Sequence, residues 1–161
     1  MGKLPRSGEV EAFAAAPPEA VWPIVADLTR IGEWSHECGH VEYVGGATAA
    51  APGVQFRGDN RVGRVKWSRT SEFVAVDAPR VLAWRTVPTR RYPDSTEWRI
   101  ELEPAAGGTR IVQRFEVLKL NPVFDRLIWR FVPVHRDRRE ALTEDIGRLA
   151  ALATAEASAP R

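Results

Sequence analysis

The feature that most constrains this chain is a two-residue alternation of apolar and polar side chains between Pro52 and Leu118. It is clearest in four segments, at 65–69, 82–86, 97–103 and 110–117. Side chains of a strand point alternately to opposite faces of a sheet, so this period predicts strands with one buried face and one solvated face. Turn-forming residues separate the segments, which predicts that successive strands are antiparallel neighbours.

The alternation and the turns together predict a sheet of about six or seven strands. An opening strand is expected at about 8–15 and a second one at about 40–45. The later strands are expected at about 53–62, 64–77, 80–88, 95–104 and 109–119. Glycine, proline or aspartate stands between successive segments, as tight turns require.

Two short helices are predicted between the first two strands. Pro17-Pro18-Glu19 is a typical helix start, because proline is tolerated in the first turn and an acid is favourable there. Pro23 should kink this helix, since it removes a backbone donor. Thr29 is predicted to cap a second short helix that includes Glu33 and Trp34.

The period changes at Asn121, where a long C-terminal helix is predicted. Asn121 is expected to cap it, with Pro122 in the first helical position. Apolar residues then keep helical spacing to about Ala153, and Pro133 should bend the helix. The expected fold class is therefore α+β, with a curved antiparallel sheet wrapped around one long C-terminal helix.

Length and composition bound the rest of the architecture. With 161 residues, a single domain over 1–161 is expected, with a core at about 8–153 and short disordered ends. The net charge is only +2 and basic residues alternate with acidic ones, which argues against a nucleic-acid partner. The single cysteine, Cys38, and the lack of a secretion signal or membrane span indicate a cytoplasmic protein, expected as a monomer or homodimer.

Local signatures of catalysis and of cofactor binding are missing from the sequence, so no cofactor is expected. His36, Cys38 and His40 are the one set with the residue types of a metal site. On an extended chain, however, the two histidines would lie roughly 13 Å apart, given a rise of about 3.3 Å per residue. Zinc–ligand bonds are only about 2.0–2.3 Å long, so no metal site is predicted.

The order of elements resembles the helix-grip fold of the START-like superfamily, which includes polyketide cyclase-like and lipid-transfer proteins. Its bacterial members are similar to this chain in several motifs. These are Pro18-Glu19-Ala20-Val21-Trp22, Ala26-Asp27-Leu28-Thr29, Glu33-Trp34-Ser35, Pro52-Gly53-Val54-Gln55-Phe56, Asn60-Arg61-Val62-Gly63 and Gly108-Thr109-Arg110-Ile111. The matched motifs are turns, caps and core residues rather than a catalytic signature, so the resemblance implies a fold and not a single activity.

A curved sheet closed by a helix implies an internal cavity, and three functions are open for it. The first is binding of a small hydrophobic or aromatic molecule, lipid-like or polyketide-like. The second is a cyclase- or dehydratase-like enzyme that uses polar residues of the cavity. The third is a protein-interaction module without a ligand.

Strand parity and helical spacing predict which side chains share the internal surface. The ligand-binding candidates are Trp67, Trp84, Trp98, Gln113, Phe115, Phe131 and His135. His135 could bond a ligand oxygen or act as an acid/base, or it could be a core histidine bonded to a strand carbonyl. An inward Gln113 needs a ligand, a water or a neighbouring side chain as its partner.

Four arginines, at positions 85, 90, 91 and 99, are expected to be solvated. An arginine that pointed inward would instead favour a ligand with a carboxylate or a phosphate.

Overall fold

The computed structural model describes residues 4–160, except the side chains of Phe124, Val134 and His135. Seven strands form one antiparallel sheet, as the alternation predicted. The strands are β1 (Ser7–Ala14), β2 (Cys38–Tyr43), β3 (Gln55–Val62), β4 (Val65–Asp77), β5 (Val81–Thr86), β6 (Ser95–Ala105) and β7 (Gly108–Lys119).

The spatial order of the sheet is β1-β7-β6-β5-β4-β3-β2. Strands β2 to β7 therefore form a continuous meander, and β1 pairs with the last strand from Ser7 opposite Glu116 to Ala14 opposite Thr109. The hydroxyl of Thr109 donates to the carbonyl oxygen of Ala16 at 2.7 Å, which fixes the exit of β1 against β7. The curved sheet and the C-terminal helix confirm the predicted helix-grip fold.

Strand β4 contains one irregularity, after which odd- and even-numbered side chains exchange faces of the sheet. The register of its pairing with β5 shifts between Phe73 and Ala75. Before this bulge Ser71 and Phe73 are buried, and after it Val76 packs against the core. The shift lies beyond Trp67, so the inward parity predicted for that tryptophan is not reversed.

The elements between β1 and β2 are helix α1 (Pro18–Ala26) and a 3-10 helix (Leu28–Glu33). Pro23 lies inside α1, as predicted. The predicted cap of the second helix needs a correction: Asp27, not Thr29, is the capping residue. The carboxylate of Asp27 accepts hydrogen bonds from the backbone N–H of Thr29 at 3.1 Å and from its hydroxyl at 2.5 Å.

The C-terminal helix is also corrected, because it is interrupted rather than bent. Helix α2 (Pro122–Phe131) is followed by a 3-10 helix (Pro133–Arg136) and then by α3 (Arg138–Ser158). Pro133 has no backbone N–H to donate and its ring crowds the carbonyl four residues earlier, which favours a break, and here the helix ends and a new one begins. Asp137 caps the restart by accepting from the backbone N–H of Arg139 at 3.0 Å. The helix ends at Ser158, later than the predicted Ala153.

Helix α3 packs against β1, β7 and α1, and this contact forms the dense part of the core. Its buried residues include Ile146, Leu149 and Ala153, which are inaccessible to solvent. The outer face of the sheet is charged, with Arg110 and Arg114 each paired to glutamates of both neighbouring strands. Among the described helices, none has the length of apolar sequence that a membrane span needs.

Candidate ligand cavity

A cavity of about 330 Å³ lies where the sheet curves away from α2 and from the first turns of α3. On the sheet side it is lined by Phe56, Trp67, Arg69, Ser71, Trp84, Thr86, Thr96, Trp98 and Gln113. The facing wall consists of Ile31, Trp34, Ser35, His36, Ile128, Val132, Arg138, Leu142 and Asp145. This volume is at the lower end of the range for small-molecule sites.

Four of the seven predicted residues line this cavity together: Trp67, Trp84, Trp98 and Gln113. Phe115 is buried beside them, with its ring centroid 5.6 Å from that of Trp98. It supports the wall rather than forming its surface. The three tryptophans come from consecutive strands, so strand parity was sufficient to place them on one face.

Phe131 is not on this surface, which corrects its predicted position. Its side chain is 61% exposed, on the same outer face of α2 as Val123 and Leu127. The prediction extended one helical stripe through Pro133, but the interruption there ends any common phase between α2 and α3. The side chain of His135 lies outside the described part of the structure, so its place in the cavity remains a prediction.

Arg69 and Lys66 are the charged residues that β4 contributes to the cavity, and the charge of Arg69 is balanced by a neighbouring carboxylate. Its guanidinium donates two hydrogen bonds to the Asp94 carboxylate, at 3.2 and 2.9 Å, and a third to the Asp94 carbonyl at 3.1 Å. It also lies over the ring of Tyr92, 5.1 Å from the centroid. A forked pair of this kind fixes the guanidinium plane while keeping the cavity wall nearly neutral.

His36 forms the polar corner of the facing wall together with Asp145. Its ring Nδ1 lies 2.7 Å from one carboxylate oxygen of Asp145, and its backbone N–H donates to the other at 2.8 Å. Arg148 donates to the same carboxylate at 2.5 Å and to the Trp34 carbonyl at 3.0 Å. Asp145 is buried, so these three donors replace the water that burial removes.

This network makes the stability of the protein depend on pH. The hydrogen bond to Asp145 raises the pKa of His36, Glu37 adds to the effect, and burial and Arg148 oppose it. Because the pKa of His36 is higher in the folded protein than in the unfolded chain, the protonated histidine stabilises the fold. This contribution is fully present below the unfolded-state pKa of about 6.5, and it is lost as the pH rises through the folded-state pKa.

We therefore expect the free energy of unfolding to fall as pH rises through this window. Urea unfolding of the wild type and of His36→Gln at a series of pH values measures the effect, which should be absent from the variant. His40→Gln is the matched control, because that side chain is exposed and lies 3.3 Å from the equally exposed carboxylate of Glu42. Equal pH slopes for the wild type and His36→Gln would contradict the assignment.

The three residues considered for a metal site have separate partners. His36 bonds Asp145, His40 lies 3.3 Å from Glu42, and the Cys38 thiol donates to the His40 carbonyl at 3.6 Å. Burial raises the pKa of Cys38 to about 11. The thiol is therefore protonated at neutral pH, when it is neither a good nucleophile nor a ready metal ligand.

Several lining residues were not identified from the sequence. Arg138, Leu142 and Asp145 have a spacing of four and three, which places them on one face of α3. That spacing was visible in the sequence, but a charged residue is normally assigned to solvent. Trp34 and His36 follow a short 3-10 helix, which leaves no periodic signal.

A curved antiparallel sheet, a C-terminal helix and an aromatic-lined cavity between them define a helix-grip protein. The chain belongs to the family of polyketide cyclase / dehydrase and lipid transport proteins, which matches residues 6–154. No curated protein matches the sequence.

Solved bacterial structures have the same fold. The protein TTHA0849 from Thermus thermophilus is 19% identical with a TM-score of 0.71, over 94% of this chain and 99% of that chain. The Zhui aromatase/cyclase from a Streptomyces species is 21% identical with a TM-score of 0.68, over 92% and 93%. The Polyketide_cyc-like protein Cgl2372 from Corynebacterium glutamicum is 24% identical with a TM-score of 0.57, over 96% and 91%.

Proposed function

We propose that this protein binds a small apolar or aromatic molecule, lipid-like or polyketide-like, in the cavity between the sheet and helices α2 and α3. The observation that carries the proposal is the aromatic lining of an unfilled space of about 330 Å³. Rings that face a void lose the dispersion contacts that close packing would give them. A flat or flexible apolar ligand restores those contacts and removes the rings from water.

The proposed ligand lies on Trp67, Trp84 and Trp98, with Gln113 as a polar contact. Phe115 acts indirectly, by holding the Trp98 ring in place. The His135 side chain is also proposed as a polar contact of the ligand. The family description, which names both polyketide chemistry and lipid transport, supports this ligand class without selecting a member.

We also propose a cytoplasmic location, a monomeric or homodimeric state, and no nucleic-acid partner. The outer-face arginines support the last point, since Arg110 and Arg114 are already paired with glutamates. Such pairs leave little free positive charge for phosphates. Sedimentation of the purified protein, alone and with duplex DNA, tests the last two statements.

The proposal is tested by mass spectrometry of solvent extracts of the purified protein and by tryptophan fluorescence titration. Suitable probes are decanoic acid, cholesterol and methyl naphthoate. Because four of the residues that line the cavity are tryptophans, we expect a saturable change in emission with at least one probe. The absence of any co-purified small molecule, together with unsaturable titrations for all three probes, would overturn the proposal.

A second candidate function is catalysis of dehydration or cyclisation, which the dyad of His36 and Asp145 favours. The Asp145 carboxylate orients the ring through Nδ1, and Nε2, which lies 3.6 Å from a carboxylate oxygen of Glu37, is the nitrogen that would transfer a proton to or from a ligand. Incubation with a β-hydroxy ketone distinguishes the two functions. A carrier returns the compound unchanged, whereas a dehydratase returns it lighter by one water.

A further inference from the structure

Arg138 is an inward-facing cation on the helical wall of the cavity. It is the first residue of α3, and it lines the cavity with Leu142 and Asp145, four and seven residues later. Its guanidinium lies 5.6 Å from the ring centroid of Trp98 and 5.7 Å from that of Phe115. The aliphatic stem and the cation are thus held by the aromatic wall rather than by solvent.

The guanidinium of Arg138 has no hydrogen-bond acceptor and no carboxylate within 4 Å among residues 4–160 whose side chains are described. Burial lowers the pKa of Arg138, and it outweighs the nearby acids that raise it. Arginine nevertheless stays charged at neutral pH. A charged group with five donors, only partly exposed to water and without an acceptor among the described residues, can donate to a ligand oxygen.

Two further polar groups of the cavity lack partners. The Gln113 side-chain oxygen and the Trp34 indole nitrogen are buried, and neither has a hydrogen-bond partner among the described residues. Gln113 is two residues from Phe115 along β7, about 7 Å away on the same face. Gln113 and Arg138 line the same cavity. The amide nitrogen of Gln113 can donate to an anionic oxygen of the ligand, whereas its unpaired oxygen can be satisfied only by a ligand that also carries a hydroxyl or another donor.

The surrounding charges select the kind of anion. Glu37, Asp94 and Asp125 are the carboxylates near Arg138, and Arg69, already paired with Asp94, is a nearby cation. Lys66 also lines the cavity, but a phosphate dianion bound at Arg138 would still face three acids. A single negative charge on a planar group fits better, because two carboxylate oxygens match the guanidinium fork.

We propose that Arg138 and Gln113 form a subsite for the carboxylate of a ligand whose apolar or aromatic body lies on the tryptophans. The subsite rests on the proposed function, because it specifies one end of the same ligand. It makes Arg138 a determinant of specificity: an acid is preferred over its ester or alcohol of nearly equal apolar surface.

Tryptophan fluorescence titration at neutral pH with two matched pairs of probes tests the subsite: naphthoic acid with methyl naphthoate, and decanoic acid with decanol. We expect the wild type to bind each acid about 10- to 100-fold more tightly than its neutral partner, the usual effect of a charge-assisted hydrogen bond. Arg138→Gln should abolish this preference and change the affinity for the neutral probes less than about threefold. Arg139→Gln, the adjacent exposed arginine, should retain the preference.

Arg138→Met is the second variant, because it keeps an unbranched stem against Trp98 and Phe115 if the glutamine variant does not fold. Equal affinity of the wild type for acids and neutral probes would overturn the carboxylate subsite and leave the proposed function intact. A preference that survives in either Arg138 variant would also overturn it. Binding of none of the four probes to the wild type would overturn the subsite, and it would overturn the proposed function too only if cholesterol also failed to bind and no small molecule co-purified.

Discussion

Replacing Gly108 with alanine should destabilise the fold by more than about 3 kcal/mol, the largest effect expected of any single methyl group in this chain. Gly108 begins β7, where β1 ends. A Cβ atom at this position would lie 2.0 Å from the carbonyl oxygen of Ala14 and 2.9 Å from the ring of Phe13. Backbone cannot yield as a flexible side chain does, so β1 would have to separate from β7 at this end.

The matched control is Gly147→Ala, which adds the same methyl group in open space. Gly147 is an exposed residue inside α3, and no atom lies within 4 Å of its ideal Cβ position. Alanine is about 1 kcal/mol more favourable than glycine in a helix, so this variant should be stabilised by up to that amount. Urea denaturation followed by circular dichroism measures both variants. A Gly108→Ala midpoint equal to that of the wild type would contradict the close approach of β1 and β7.

Filling the cavity from the sheet side should abolish ligand binding while leaving the fold intact. Ser71 is buried in the middle of the wall, between its strand partners Phe56 and Thr86. A phenyl ring introduced by Ser71→Phe would occupy the space that the proposed ligand needs. We expect at least about a tenfold loss of affinity for methyl naphthoate, because a ligand cannot share that volume.

The stability of Ser71→Phe should be close to that of the wild type, since the new ring fills a void rather than a packed region. Thr70→Phe is the control, because it adds a ring to the same strand on the opposite face of the sheet. Fluorescence titration gives the affinities and urea denaturation gives the stabilities. Unchanged affinity in Ser71→Phe would place the binding site elsewhere.

The sheet was predictable because its information is local. Each strand alternates within its own sequence, and turn residues mark its ends, so neighbours and faces follow without tertiary knowledge. Trp84 and Trp98 were placed on one face by parity alone, and the pairing of these two residues confirms it. Even the bulge after Phe73, which no local pattern indicated, lies too late to affect Trp67.

The helical wall was less predictable, because residue spacing tells which side chains share a face only as long as the helix is continuous. Because the helix is interrupted at Pro133, the inward faces of α2 and α3 are not related by helical spacing, and Phe131 is exposed instead of facing the cavity. Arg138 was missed for a different reason. A charged side chain is normally expected to face solvent, and only the three-dimensional structure shows that the guanidinium of Arg138 lies against Trp98.

The pairing of the first strand with the last has a consequence for how this protein is made. Residues far apart in the sequence must meet before β1 has a strand partner, since Ser7 lies opposite Glu116. Contacts between such distant residues slow folding, because the loop entropy is lost before the contacts form. During synthesis, β1 therefore has no strand to pair with until β7 has left the ribosome. Helix α3, which packs against β1, is synthesised after β7. Arg138, Leu142 and Asp145 of the cavity wall belong to α3, so the cavity cannot bind a ligand before α3 has been synthesised and has packed against the sheet.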